Sequence, residues 1–273
     1  MVLSVTLHFL VRMLSAATYI DDLLASGRST FSTDEAVQAL GVSVPAARAA
    51  VRRLKEKGVI AAPFRGFHVI VPPQYRQLGC RPAEDFVPDL MAHLGEPYYA
   101  GLLTAARYHG AGHQAPMVFQ VVVPKPRRSL ECGEVRVDFV ARRDMAQTPV
   151  FERNTATGVL RVASAEATAL EVVGYPQLCG YLDNVATVLA ELAEVLDGQA
   201  LAAEARRSPL AWVQRLGFLL DLVEAGELAA HLDAVVEERG AFPVPLAPWN
   251  EMAGAPRDAR WRVAVNIDVE PDL

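Results

Sequence analysis

The chain has 273 residues, 52% of them apolar, with 26 lysines and arginines against 32 aspartates and glutamates, a formal charge of −6. That apolar share excludes a disordered chain, and 18 glycines with 18 prolines exclude a collagen-like or linker composition. The length accommodates roughly two domains, and the acidic total, were it evenly spread, would argue against a nucleic-acid partner.

Residues 1–14, MVLSVTLHFLVRML, are too short to cross a bilayer and contain His8 and Arg12. They lack the basic start of a signal peptide, although Ser15-Ala16-Ala17 faintly resembles a cleavage site. They read as an N-terminal extension, with Met13 as a second candidate start. From Thr18 the pattern becomes regular. A helix through Tyr19, Ile20, Leu23 and Leu24 stops at Gly27, and a short β-prone stretch, 29–32, follows. Thr33 precedes Asp34 and Glu35, acids in a first turn where the helix dipole favours them, and that helix ends at Gly41. Ser43 caps a third helix with Pro45 in its first turn, and Ala47, Ala50, Val51 and Leu54 form its buried stripe. Residues 59–61 and 67–71 read as strands joined by the turn 63–66. Helix, strand, helix, turn, helix and hairpin together predict a winged helix-turn-helix, because each cap and turn agrees with the same fold.

Further on, residues 84–95 and 98–109 are predicted as helices and Met117–Val123 as a buried strand. Strands are expected at 135–140, 149–151 and 159–162, then helices at 165–173, 181–196, 199–206, 211–224 and 227–238, and a last strand at 261–267. The reading is an α+β chain. An extension (1–14) leads into a winged helix-turn-helix domain (15–76), a linker (77–83) and a larger α+β domain (84–273) with a mixed sheet and a helical C-terminal half.

The charge is unevenly distributed. Residues 43–76 hold seven cations against one anion, net +6, whereas residues 164–240 hold thirteen anions against four cations, net −9. Opposite signs in separate segments predict separate partners. In a helix-turn-helix the second helix of the motif enters the major groove. Arg48 and Arg52 share one face there, flanked by Ser43, Ala46 and Ala49, whose short side chains permit close approach. Arg48 is expected at or near base edges, and Arg52, Arg53, Lys57 and Arg65 at phosphates; His68 on the hairpin joins this set. Lys125, Arg127 and Arg128 form a second basic cluster that would meet DNA backbone, an acidic partner or only solvent. The acidic helical segment is the expected protein-facing surface.

Cys80, Cys132 and Cys179 are widely spaced, odd in number and without a CxxC pair. This predicts neither a disulfide framework nor a zinc site, and a reducing cytoplasm. His109 and His113 stand four apart, but two glycines intervene and no third ligand is evident, so a structural role is expected. Asp138 with Lys125 is read as surface charge rather than a nuclease site. No nucleophile elbow, phosphate-binding loop or dinucleotide fingerprint occurs, so no enzymatic activity, cofactor or metal is expected.

Several blocks carry a resemblance: Tyr98–Ala106, Tyr108–Ala111 with His113-Gln114, Val118–Val122, Gly174-Tyr175-Pro176, Leu182–Leu189, Val213–Gly217 and Trp261–Val263. In that order, over about residues 18–267, the chain resembles the AbiEi-type antitoxins of abortive-infection toxin–antitoxin pairs. The resemblance implies that the winged helix represses its own operon at inverted repeats in promoter DNA, with possible self-association there. It also implies that the second domain counters a nucleotidyltransferase-like toxin, by contact or indirectly, on a degenerate nuclease-like fold. Two other classes remain open: a winged-helix regulator whose second domain senses a small ligand, and a nuclease with a DNA-reading module.

Overall fold

The computed structural model describes residues 15–112 and 118–272. The extension 1–14, His113 and the strand start at Met117 lie outside the described residues. Two compact units form: Met1–Leu94 with Leu130–Arg136 and Ala156–Gly158, and Gly95–Ser129 with Val137–Thr155 and Val159–Leu273.

In the first unit, α1 (Ala16–Ala25) is capped by Ser15, whose hydroxyl accepts from the Thr18 amide. β1 (Thr30–Ser32) runs directly into α2 (Thr33–Leu40). Its cap is Ser32, one residue before the expected position: the Ser32 hydroxyl accepts from the Glu35 amide while the Glu35 carboxylate accepts from the Ser32 amide. This reciprocal box satisfies two otherwise orphaned donors. Opposing burial, which would raise it, the Ser32 amide and Arg28 hold the Glu35 pKa below the usual carboxylate range. Gly41 closes α2 in the left-handed region at φ 64°. α3 (Val44–Glu56) follows, then β2 (Ile60–Phe64) and β3 (Phe67–Ile70). The strands order as β1-β3-β2, all antiparallel, with Phe31 opposite His68 and Ile60 opposite Ile70. β2 reaches three residues further than predicted, through a register shift between Ala61 and Phe64 that accommodates Pro63. Tyr19, Ile20, Leu23, Phe31, Val51 and Ile70 meet in the core. The unit continues through α4 (Val87–Leu94).

The expectation of unpaired cysteines is overturned. Cys80 and Cys132 form a disulfide across a separation of 52 residues, with Cα atoms 5.6 Å apart. Wide spacing misled because the chain returns to this unit at Leu130–Arg136. There the Glu134 amide donates to the Leu78 carbonyl at 2.8 Å. At Gly133, φ is +59° and a Cβ would fall 2.0 Å from that carbonyl, so only glycine lets the two backbones approach. The inference of a reducing compartment rested on unpaired thiols and loses that support.

In the second unit, β4 (Tyr99–Ala100) and α5 (Leu102–Tyr108) replace the single helix predicted over 98–109. Ala100 pairs with Val121 on one side and Val162 on the other, so this stretch lies inside a sheet and cannot be helical. With β5 (Val118–Val123), β7 (Val135–Ala141), β8 (Val150–Asn154) and β9 (Val159–Ala163), the order is β7-β5-β4-β9-β8; β6 is the returning Leu130–Cys132. β4 is antiparallel to β5 and parallel to β9, a mixed sheet. Five helices follow: α6 (Ala165–Gly174), α7 (Tyr181–Leu192), α8 (Gly198–Arg207), α9 (Leu210–Leu222) and α10 (Gly226–Glu238). The chain closes with β10 (Val244–Pro245), β11 (Arg257–Asp258) and β12 (Val263–Ala264), three short strands around β12 in place of the single strand expected at 261–267. No helix among the described residues is long and apolar enough to cross a membrane.

Candidate functional site

On α3, Ala47 and Val51 are buried, and Leu54 packs on the core from the same stripe. The opposite face carries Arg48, Arg52 and Arg53, all exposed, with Lys57 at the C-cap. Ser43 stands at the N-cap without bonding the helix through its hydroxyl, and exposed Val44, Pro45 and Ala46 follow, so the first turn is short-sided. Arg52 meets Glu56 at 3.6 Å, an exposed contact of little energetic weight that leaves the guanidinium available to a phosphate. Arg65 projects from the turn between β2 and β3. The face thus presents five exposed cations beside a short-sided helix end.

His68 does not belong to this face. It is buried at 6% exposure, its ring lies 5.0 Å from Phe31, and its Nε2 shares a 2.9 Å hydrogen bond with the Thr33 hydroxyl. β3 is buried along its whole length, and there this side chain links the hairpin to the start of α2. Burial, with Lys55 and His93 nearby, lowers its pKa to about 4. The folded state therefore disfavours the proton that an unfolded histidine takes up near pH 6.5. Stability should be fully present above pH 6.5 and decline as the pH falls towards 4, by about 2–3 kcal/mol from this group. Urea unfolding followed by circular dichroism at pH 7.5 and 4.5 measures the decline, and it should shrink in His68→Gln.

Of the second basic cluster, Arg127 is engaged at home: it pairs with Glu96 at 2.7 Å and lies 5.9 Å from the Phe139 ring. Lys125 and Arg128 remain exposed. His109 donates through Nε2 to the Ala163 carbonyl, 2.8 Å away, and packs on Phe151, a structural placement.

A buried polar network in the second unit escaped the sequence reading. Glu171 on α6 is fully enclosed. It accepts from the Tyr99 hydroxyl at 2.5 Å, from Arg142 Nη1 at 2.9 Å and from the Leu102 amide at 3.3 Å. Arg142 also reaches Asp144 at 2.9 Å and lies 5.6 Å from the Trp212 ring. Burial raises the pKa of Glu171, against the opposing pull of Tyr99 and Arg142. Next to it, Leu102 has φ +50°, and a Cβ on Gly101 would stand 2.7 Å from Glu171 Oε2. The carboxylate thus fixes the sharp junction between β4 and α5. The signal in the sequence is an acid beyond the first turn of a largely apolar helix: nearly every residue of α6 is buried, so Glu171 there needs built partners.

Residues 99–222, the stretch holding this network, match the family model of the AbiEi antitoxin C-terminal domain. The second unit thus carries an AbiEi antitoxin C-terminal domain, which supports the role of antitoxin in a toxin–antitoxin pair. The fold is also similar to that of the RV2827C protein from Mycobacterium tuberculosis, with a TM-score of 0.64 over 91% of this chain and 90% of that one at 18% identity. No curated protein sequence matches the chain.

The blocks that carry the AbiEi resemblance hold one another in place. The Thr104 hydroxyl accepts from the Gln120 amide at 2.8 Å, and Gln120 in turn donates to the Leu178 carbonyl at 2.7 Å. Asn184 donates to the Cys179 carbonyl at 2.8 Å. Gln214 donates to the Trp261 carbonyl at 2.9 Å, while the Trp261 ring covers Gly217, where a Cβ would sit 2.3 Å from it. These residues fasten the helices and sheet of the second unit to one another.

Proposed function

We propose that the first unit is a winged helix-turn-helix that binds promoter DNA and represses the operon of this antitoxin, while the second unit counters a nucleotidyltransferase-like toxin. The observation that carries the first half is the exposed set Arg48, Arg52, Arg53, Lys57 and Arg65 around the α3 end and the hairpin turn, in a chain whose total charge is negative. Arg48 reads base edges; Arg52, Arg53, Lys57 and Arg65 hold phosphates. Two copies occupy inverted half-sites separated by whole helical turns, about 10–10.5 bp or multiples. Support for the second half is the family of the domain.

Gel-shift titration on the operon's own promoter fragment tests the reading. Arg48→Ala is expected to weaken operator binding by about 1–3 kcal/mol and to relax specificity. Arg53→Ala should weaken all sequences alike and reduce the salt slope by about one. Wild-type affinity in both variants would remove α3 from the groove. Co-expression of the full chain with the adjacent toxin gene, scored as restored growth, tests the second half.

A further inference from the structure

Three stretches of the AbiEi-containing unit converge on one face. The α7 start is joined to the C-terminal tail by hydrogen bonds from the Glu270 amide to Asp183 at 3.0 Å and from the Asp272 amide to Thr187 at 2.9 Å. The loop after β10 joins them through Asn266, which donates to the Ala247 and Asn250 carbonyls. Tyr181 meets Trp249 edge-on at 5.5 Å. This face has three unusual properties. Large apolar side chains stand in solvent: Tyr181 is 54% exposed and Leu178 46%. An apolar groove of about 330 Å³, lined by Phe218, Leu222, Leu246, Ile267 and Val269, opens beside the tail. Finally, residues 174–187, 244–256 and 263–272 carry Asp183, Glu251, Asp268, Glu270 and Asp272 and neither lysine nor arginine. Of the nearby cations, Arg260 is held by Asp221 and Asp233 and Arg262 by the Ala241 carbonyl, while Arg257 stands exposed at the edge of the face on β11.

Backbone strain sharpens the point. Gly180 and Tyr181 are consecutive left-handed residues, at φ +75° and +66°. Glycine suits both positions, yet the second carries an aromatic ring that is mostly in solvent. Such a ring gains little from the fold itself. An exposed Tyr and a half-buried Trp beside an apolar groove, with five acids around them, have the composition of an interface centre with a steering rim.

We propose that this α7–tail face is the docking surface for the toxin, and that the toxin meets it with a basic surface into which Tyr181 and Trp249 insert. The proposal rests on the antitoxin reading of the second unit and locates it: of all the acidic helical residues, this face and not α8 or α10 makes the contact. Phosphate-binding enzymes expose basic surface, and occupation of such a surface by carboxylates would exclude the phosphates of a nucleotide.

The test uses the full-length chain, immobilised, with the purified product of the adjacent toxin gene in solution. Tyr181→Gly and Trp249→Ala should each weaken binding about tenfold or more. Tyr181→Gly removes the ring while relieving the backbone, so its melting temperature should not fall. Glu270→Lys should slow association at low salt and converge on the wild type at high salt. Promoter gel shifts with all three should be unchanged, and growth rescue should fall in step with binding. Wild-type binding in the aromatic variants overturns the face. Rescue by a wild-type chain that does not bind the toxin overturns docking but leaves the antitoxin reading intact. Absence of rescue by the wild-type chain overturns both. Loss of self-association in Tyr181→Gly, with toxin binding intact, assigns the face to a second copy and overturns the proposal.

Discussion

Arg142→Ala should destabilise the second unit by about 3–5 kcal/mol, the cost of leaving a buried carboxylate without its cation. Arg142 is the positive group bonded to Glu171, which is wholly enclosed. Without it, Glu171 retains the Tyr99 hydroxyl and the Leu102 amide, which cannot balance a full negative charge in a low-dielectric interior. The residue would therefore hold a proton. Its folded pKa is already raised by burial, so stability from this group is present below the unfolded carboxylate pKa and lost as the pH rises. In Arg142→Ala that loss should steepen, with the variant closest to wild type in acid and weakest at neutral pH. All three tryptophans, Trp212, Trp249 and Trp261, lie in this unit, so urea denaturation followed by their fluorescence reports on it. The double replacement Arg142→Met with Glu171→Leu should recover much of the loss, because matched apolar groups replace a buried pair at little cost. A single-variant loss below about 1 kcal/mol would mean that water reaches the network.

Removing the disulfide should be about as severe for the first unit. For a 52-residue separation, chain-entropy arguments give about 4 kcal/mol from Cys80–Cys132. Both sulfurs are buried, so Cys80→Ala with Cys132→Ala avoids stranding a polar group. Native-state hydrogen exchange is the suitable measurement, since the unit contains no tryptophan. The Val71 and Glu134 amides, bonded to the Val59 and Leu78 carbonyls, should lose protection by the full amount. Cys179→Ala should leave them unchanged: that thiol is buried in the other unit, with its pKa pushed up by burial. Equal protection in the double variant would show that the loop is held closed by its packing alone.

Local chemistry explains what could be read in advance. The first helices and hairpin were legible because each has a stop or cap within a few residues: Gly27, the Ser32–Glu35 box, Gly41, Pro45 and the turn at Gly66. The exposed arginines of α3 followed from its buried stripe. Long-range closure was not legible. Nothing near Cys80 announces Cys132, because the partner arrives only after the chain has left and returned. β4 was taken for helix because Tyr-Tyr-Ala reads as helix or strand alike; its two flanking strands decide it. His68 is expected on the DNA face from its place on the hairpin, whereas the whole of β3 is buried. The Glu171 network failed to show for the same reason: its members come from positions 99, 102, 142, 144 and 171, and no window contains them.

The first unit draws on residues 15–94, 130–136 and 156–158. A ribosome makes these in order, with most of the central sheet of the other unit in between. The first unit therefore cannot be complete when its own helices emerge. It waits for the covalent partner at Cys132 and, later still, for Thr157, whose hydroxyl donates to the Asp85 carbonyl at 2.7 Å. A chain interrupted before residue 158 would carry the basic helix without its full support. On the proposed reading, competence to silence the operon comes only after about a third of the second unit has been made, so repression by shorter nascent fragments is disfavoured by the threading of the chain itself.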